Sequence, residues 1–112
     1  MGETLEQVEY KLRQTNIYLN EEGTISAAKT NAVIPVPPWA EVTLQCYVSS
    51  APAEFQVLVT ANKHETIQNG TPRWFALGAN KTDHLQIVLP EKVTGIKLVR
   101  VSGTINWAVV AA

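Results

Sequence analysis

The sequence predicts an all-β fold, an antiparallel β-sandwich or jelly roll preceded by an N-terminal arm or short helix. Three observations carry that prediction. Val42, Leu44, Cys46 and Val48 alternate with Thr43, Gln45 and Tyr47, the period-two pattern of a strand with one buried face. Short apolar segments recur along the chain between clusters of Asn, Gly, Pro and Ser, and nothing resembles the strand–helix–strand alternation of a parallel sheet. The chain has 112 residues, enough for one core without metal or disulfide staples.

Residues 3 to 14 carry two patterns at once. Leu5, Val8 and Leu12 share a helical face and Thr4 with Gln7 resembles a capping box, yet Val8, Tyr10 and Leu12 also alternate as in a strand. The chain is therefore divided into an arm or short helix at 1–15 and one β domain at 16–112. Strands are expected at Asn16 to Leu19, Thr24 to Ala28 and Ala32 to Val36, with turns at Asn20-Glu21-Glu22-Gly23 and Lys29-Thr30-Asn31. Pro35, Pro37 and Pro38 impose an extended edge or crossover, because proline fixes φ and lacks an amide donor. The strand from Val42 should break at Ser49-Ser50-Ala51-Pro52, and Phe55 to Ala61 should form the next. Asn62 to Pro72, with its Asn69-Gly70 turn, reads as the longest polar loop. Arg73 to Leu77, Leu85 to Leu89, Gly95 to Val101 and Thr104 to Ala111 complete the set, the last two joined by a tight hairpin at Ser102-Gly103.

Composition narrows the classes of partner. Nine basic and ten acidic side chains nearly cancel, which argues against nucleic acid or an anionic membrane surface. No apolar run approaches the roughly 20 residues of a spanning helix. The first residues hold neither a basic nor an apolar region of a secretory signal, and Glu6 stands where a myristoylation signal wants Ser or Thr. Charged residues make up 17%, against roughly 25% in ordinary soluble proteins, so part of the surface need not face water.

Several strands lack the expected alternation. Val57-Leu58-Val59, Ile87-Val88-Leu89, Leu98-Val99 and Trp107-Ala108-Val109-Val110 are continuous apolar runs, and neighbouring side chains on a strand point to opposite faces. Trp74-Phe75 sharpens the point: in a strand one ring faces inward and the other outward. Either the N-terminal segment or the proline connection folds over the outer faces, or a second subunit covers them. The second is favoured, because obligate assemblies bury such surface. Candidate interface residues are Trp39, Leu58, Trp74, Phe75, Val88, Val99 and Trp107.

Catalytic chemistry finds no foothold, and no catalytic residue, metal ligand or cofactor is assigned. Cys46, the single cysteine, occupies a buried position of its strand. His64 beside Glu65 and His84 beside Asp83 lack metal-site spacing and read as solvated surface residues. Glu41, Glu54 and Glu91 have no spacing that recommends them. Asn69-Gly70-Thr71 and Asn80-Lys81-Thr82 match the glycosylation pattern but read as turns.

The ending Gly95-Ile96-Lys97-Leu98-Val99-Arg100-Val101-Ser102-Gly103-Thr104-Ile105-Asn106-Trp107-Ala108-Val109-Val110 resembles the final hairpin of small β-sandwich proteins of tailed bacteriophage particles, the head-decoration or cement proteins. That resemblance covers the last twenty residues or so and a general style of short strands and few charges. It implies a non-enzymatic virion surface subunit that clamps neighbouring capsid proteins, often as a trimer, with an N-terminal arm for docking. The partners implied are copies of itself and the major capsid protein or another virion subunit. A carbohydrate-binding β-sandwich, as in a phage appendage, is the alternative, with Trp39, Arg73, Trp74 and Asn80 as its candidate ligand residues, although two of the three tryptophans are expected in the core or at subunit contacts. A jelly-roll metal-dependent enzyme comes third.

Overall fold

A computed structural model describes residues 19–90 and 92–112. The expected arm or helix at 1–15, and most of the Asn16 to Leu19 segment, lie outside those residues. Among the described residues six strands form one antiparallel sheet: β1 Leu19–Ile25, β2 Asn31–Pro35, β3 Val42–Thr60, β4 Phe75–Ala76, β5 Leu85–Val88 and β6 Gly95–Ala111, with one short helix, α1 His64–Gln68. The fold is all-β, as expected from the alternating pattern.

Two long strands organise it. β3 and β6 pair along nearly their whole lengths, from Val42 opposite Ala111 to Thr60 opposite Gly95. In the first half, Val42–Val48 of β3 lies between β5 and the Ile105–Ala111 stretch of β6, whose other edge holds β1. In the second half, Phe55–Thr60 lies between β4 and the Gly95–Arg100 stretch of β6, whose other edge holds β2. Between the halves the register shifts repeatedly from Val48 to Phe55.

Three expected breaks are thus not breaks. Ser49-Ser50-Ala51-Pro52 lies inside β3, where the irregular register absorbs the Pro without ending the strand. Ser102-Gly103 is not a hairpin: Gly95 to Val101 and Thr104 to Ala111 form one strand with β3 as their common partner. Gly103 serves as a bend instead. Its φ is +75°, and a Cβ there would sit 2.6 Å from Ala53 Cβ and 2.7 Å from the Ser50 carbonyl oxygen. Only glycine meets both conditions. Nor is Asn20-Glu21-Glu22-Gly23 a turn: it is the body of β1, paired residue by residue with Val110, Val109, Ala108 and Trp107. An edge strand tolerates such polar residues because one side of its backbone meets solvent. The turn lies later, where the Ser26 amide donates to the Lys29 carbonyl at 2.8 Å.

The inward residues of both halves join one buried cluster. Leu44, Cys46, Ile105 and Val109 come from the first half and Phe55, Val57, Ile96 and Leu98 from the second. Val36, Leu89 and Val93 close it from the connections. Trp107 also turns inward, with 9% of its surface exposed, and its ring packs on Gly23, where a Cβ would come within 2.7 Å of it. The expected interface role of Trp107 is therefore corrected: it is a core residue, and the pairing with a glycine is what makes room for it.

Candidate binding surfaces

The outward face of the second half carries one apolar stretch; the first half also exposes Val88 and Val110. Val33 and Leu58 flank Lys97 in one row, and Val99 lies between Asn31 and Gln56 in the next. Val33 is 46% exposed and Val101, further along β6, is 52% exposed. Leu58 and Val99 are half-buried. This face therefore keeps an apolar strip interrupted by one lysine and two polar side chains.

At the far end of the same face the chain supplies its own cover. A Cβ on Gly95 would meet Ile67 Cδ1 at 2.8 Å and Trp74 Cη2 at 3.4 Å, so the α1 loop lies directly on this backbone. Ile67 is buried although it stands apart from the main core cluster. The Lys97 ammonium lies 6.0 Å from the centroid of the Trp74 ring, at the outer limit of a cation–π contact. Asn62 braces the loop by accepting from the Arg73 amide at 2.8 Å and the Thr60 hydroxyl at 2.9 Å. Thr94 adds a hydroxyl bond to the Asn62 carbonyl. The cover thus comes from the segment read as a polar loop, a source other than the N-terminal segment and the proline connection considered from sequence.

Of the aromatic pair in this region, Trp74 is half-buried under Lys97 whereas Phe75 is 66% exposed. Only Phe75 and Ala76 of the expected Arg73 to Leu77 strand are paired, opposite Val59 and Leu58. A two-residue edge strand leaves the Phe75 ring beyond the reach of the core.

The outward face of the first half differs in chemistry. Across it run the rows Val88, Thr43, Val110 and Asn20, then Gln86, Gln45, Ala108 and Glu22. A third row holds Tyr47, Asn106 and Thr24, with His84 beside Tyr47. The Thr24 hydroxyl donates to Asn106 Oδ1 at 2.8 Å. Tyr47 and His84 stack at 4.4 Å between centroids with planes 6° apart, and the Val48 amide donates to His84 Nδ1 at 2.9 Å. His84 is exposed, as expected, but it is anchored rather than merely solvated. Alternation alone marked Gln45 and Tyr47 as outward; which residues stand beside them depends on register, which the sequence did not supply.

The ligand set Trp39, Arg73, Trp74 and Asn80 is not assembled in one place. Asn80 donates to Glu54 Oε2 at 2.8 Å, beside the irregular stretch of β3. Arg73 and Trp74 belong to the cover over Gly95. Trp39, 72% exposed, lies on the turn after the prolines between two clefts, one of about 550 Å³ reaching Val88 and Lys92 and one of about 370 Å³ reaching Lys63, His64 and Thr94. His64 is fixed too: its Nε2 is 2.8 Å from the Val36 carbonyl and 3.1 Å from the Thr94 carbonyl, and two acceptors require that nitrogen to carry the proton.

Cys46 is buried and free, and burial pushes its thiol up to about 12, so it carries little thiolate at neutral pH. Among the described residues no group of three His, Cys, Asp or Glu side chains is placed to hold a metal ion. No helix among them is long and apolar enough to cross a membrane.

No family model and no curated protein matches the chain. Among solved structures, the crystal structure of Yersinia pseudotuberculosis-derived mitogen is similar over 87% of this chain and 85% of that one, with 15% identity and a TM-score of 0.41, a likeness too distant to bear on function.

Proposed function

We propose that the chain is a non-enzymatic assembly subunit, a β-sandwich of jelly-roll kind whose two half-sheets are its layers, which docks on neighbouring copies through the outward face of its second half. The observation that carries this reading is the strip of Val33 and Val101, 46% and 52% exposed, continued by the half-buried Leu58 and Val99. Exposed apolar residues aligned on one sheet face mark an interaction surface more than they mark a random scatter. Phe75 at the adjoining edge extends the area, and β4, at the edge of the sheet, leaves its outer backbone side open to a neighbour.

The setting we propose is a virion surface, where such a subunit would bind its own copies and the major capsid protein or another virion component. That setting draws on the likeness of the ending to decoration proteins. The likeness was to a hairpin, and β6 is one continuous strand, so the reading rests on the exposed strip.

Sedimentation velocity on the full chain tests it. The wild type is expected to form a discrete oligomer at micromolar concentration. Val33→Asp combined with Val101→Asp should weaken it at least about tenfold, since each places a charge where an apolar contact is buried. Phe75→Ala should weaken assembly while leaving stability within about 0.5 kcal/mol, as for other exposed sites. A wild-type chain that stays monomeric to millimolar concentration removes this reading.

A further inference from the structure

The outward face of the first half offers chemistry that assembly through the second half does not use. We infer that it is a binding site for a neutral oligosaccharide, with Tyr47 and His84 as an ordered ring pair and Gln45, Gln86 and Asn106 as its hydrogen-bonding groups. The site goes beyond the assembly reading and occupies the opposite half.

Its rings are set before any ligand arrives. Tyr47 is 56% exposed and stacked on His84 with planes 6° apart, while the Val48 amide holds the imidazole through Nδ1 at 2.9 Å. Because Nδ1 accepts that bond, the neutral ring carries its proton on Nε2, leaving a donor on the side away from the anchor. Groups already immobilised lose less freedom on binding. A second bond, from Thr24 to Asn106 Oδ1, fixes the Asn106 amide so that its NH2 group remains as donor.

Gln45 and Gln86 stand opposite each other on β3 and β5. Both are exposed, and neither side chain has a hydrogen-bond partner among the described residues. Each carboxamide presents a donor and an acceptor, which is what adjacent sugar hydroxyls require, since every hydroxyl both gives and accepts. Next to Gln45 on β6 the residue is Ala108, small enough to leave a floor between Gln45 and Glu22. The cleft bordered by Gln45, Tyr47, His84 and Gln86 has a volume of about 310 Å³, at the lower end of the roughly 300 to 1,000 Å³ of small-ligand sites.

Charge selects among polar ligands. The rows that carry Gln45, Gln86, Tyr47 and Asn106 hold one carboxylate, Glu22, and no lysine or arginine; Glu41 and Lys92 stand beyond them, at the Val88 margin. A phosphate, a sulfated glycan or a nucleic acid would find no cation within those rows, and Glu22 would repel it. An uncharged polyol meets no such penalty.

Heteronuclear NMR titration of the full chain tests the site with cellohexaose, xylohexaose, mannohexaose and maltohexaose, and with a chondroitin sulfate hexasaccharide as polyanion control. At least one neutral hexasaccharide should shift the Gln45, Tyr47, Gln86 and Asn106 amides saturably. Tyr47→Ala and Gln45→Ala should each weaken that binding about tenfold, the loss of one good contact. Val33→Asp, on the other half, should leave it unchanged even where it disrupts assembly, so the two proposals fail separately. The site is overturned if none of the four neutral sugars moves these amides, if the shifts fall on the second half, or if the chondroitin sulfate binds here as tightly.

Discussion

The same two strands, β3 and β6, supply the centre of both halves, yet their outward residues differ in kind. In the first half β3 and β6 present Thr43, Gln45, Tyr47, Asn106, Ala108 and Val110; in the second they present Gln56, Leu58, Lys97 and Val99. Among the described residues the second half is also the one the chain covers, with Ile67 and Trp74 laid over Gly95. An apolar outer face on a strand can therefore have two causes inside one small domain. Where the loop reaches, the apolar surface is finished internally; where it does not, Val33 and Val101 remain exposed.

The comparison depends on the two halves being held at a fixed relation, and Gly103 is the most sensitive point of that relation. Gly103→Ala combines a left-handed backbone with a Cβ 2.6 Å from Ala53 Cβ and 2.7 Å from Ser50 O. Strain of about 1 kcal/mol and overpacking of about 2 kcal/mol give an expected loss of about 3 kcal/mol in urea denaturation. A loss under about 1 kcal/mol would mean that the junction relaxes freely and that the two faces are not rigidly related.

Next in size is the internal cover. Ile67→Ala should cost about 2 kcal/mol, the low end for removing a buried isoleucine, because the cluster is a satellite of the main core. It should also raise the exposure of Trp74, read as a red shift of its fluorescence. If stability and fluorescence both stay at wild-type values, the loop is not packed on Gly95, and the internal cover of the second half is lost.

Much of this was legible in the sequence, and its misses share a cause. The alternation of Val42 to Val48 located a strand and buried Cys46 correctly, because a period-two pattern is a property of a single segment. Gly103 and Pro52 were read as ends of strands, because glycine and proline mark both turns and bends, and only the pairing partner separates the two. Asn20 to Gly23 looked like a turn for the same reason, since polar composition does not show that β6 runs alongside. The ring pair of Tyr47 and His84, 37 residues apart in the chain, follows from β5 lying against β3 and had no local signal. The loop's role as a cover was missed because Ile67 is one apolar residue in a polar stretch.

The smallest expected effect concerns the inner side of the first half, directly behind the proposed sugar face. Cys46 packs there, and its thiol moves from an ordinary 9.0 to about 12 through desolvation. Between those values the unfolded chain sheds the proton and the folded chain keeps it. The unfolded state then binds fewer protons, so stability falls as pH rises through the window. Cys46→Ala removes this linkage while adding a constant packing cost. From pH 8 to pH 10 the wild type should therefore lose about 1.4 kcal/mol that the variant does not, a difference readable as converging urea midpoints. If the two midpoints keep a constant gap, water or ions reach the thiol in the folded chain. The first half would then be open from its inner side, and its outward face could not be the rigid platform that the anchored His84 and Tyr47 describe.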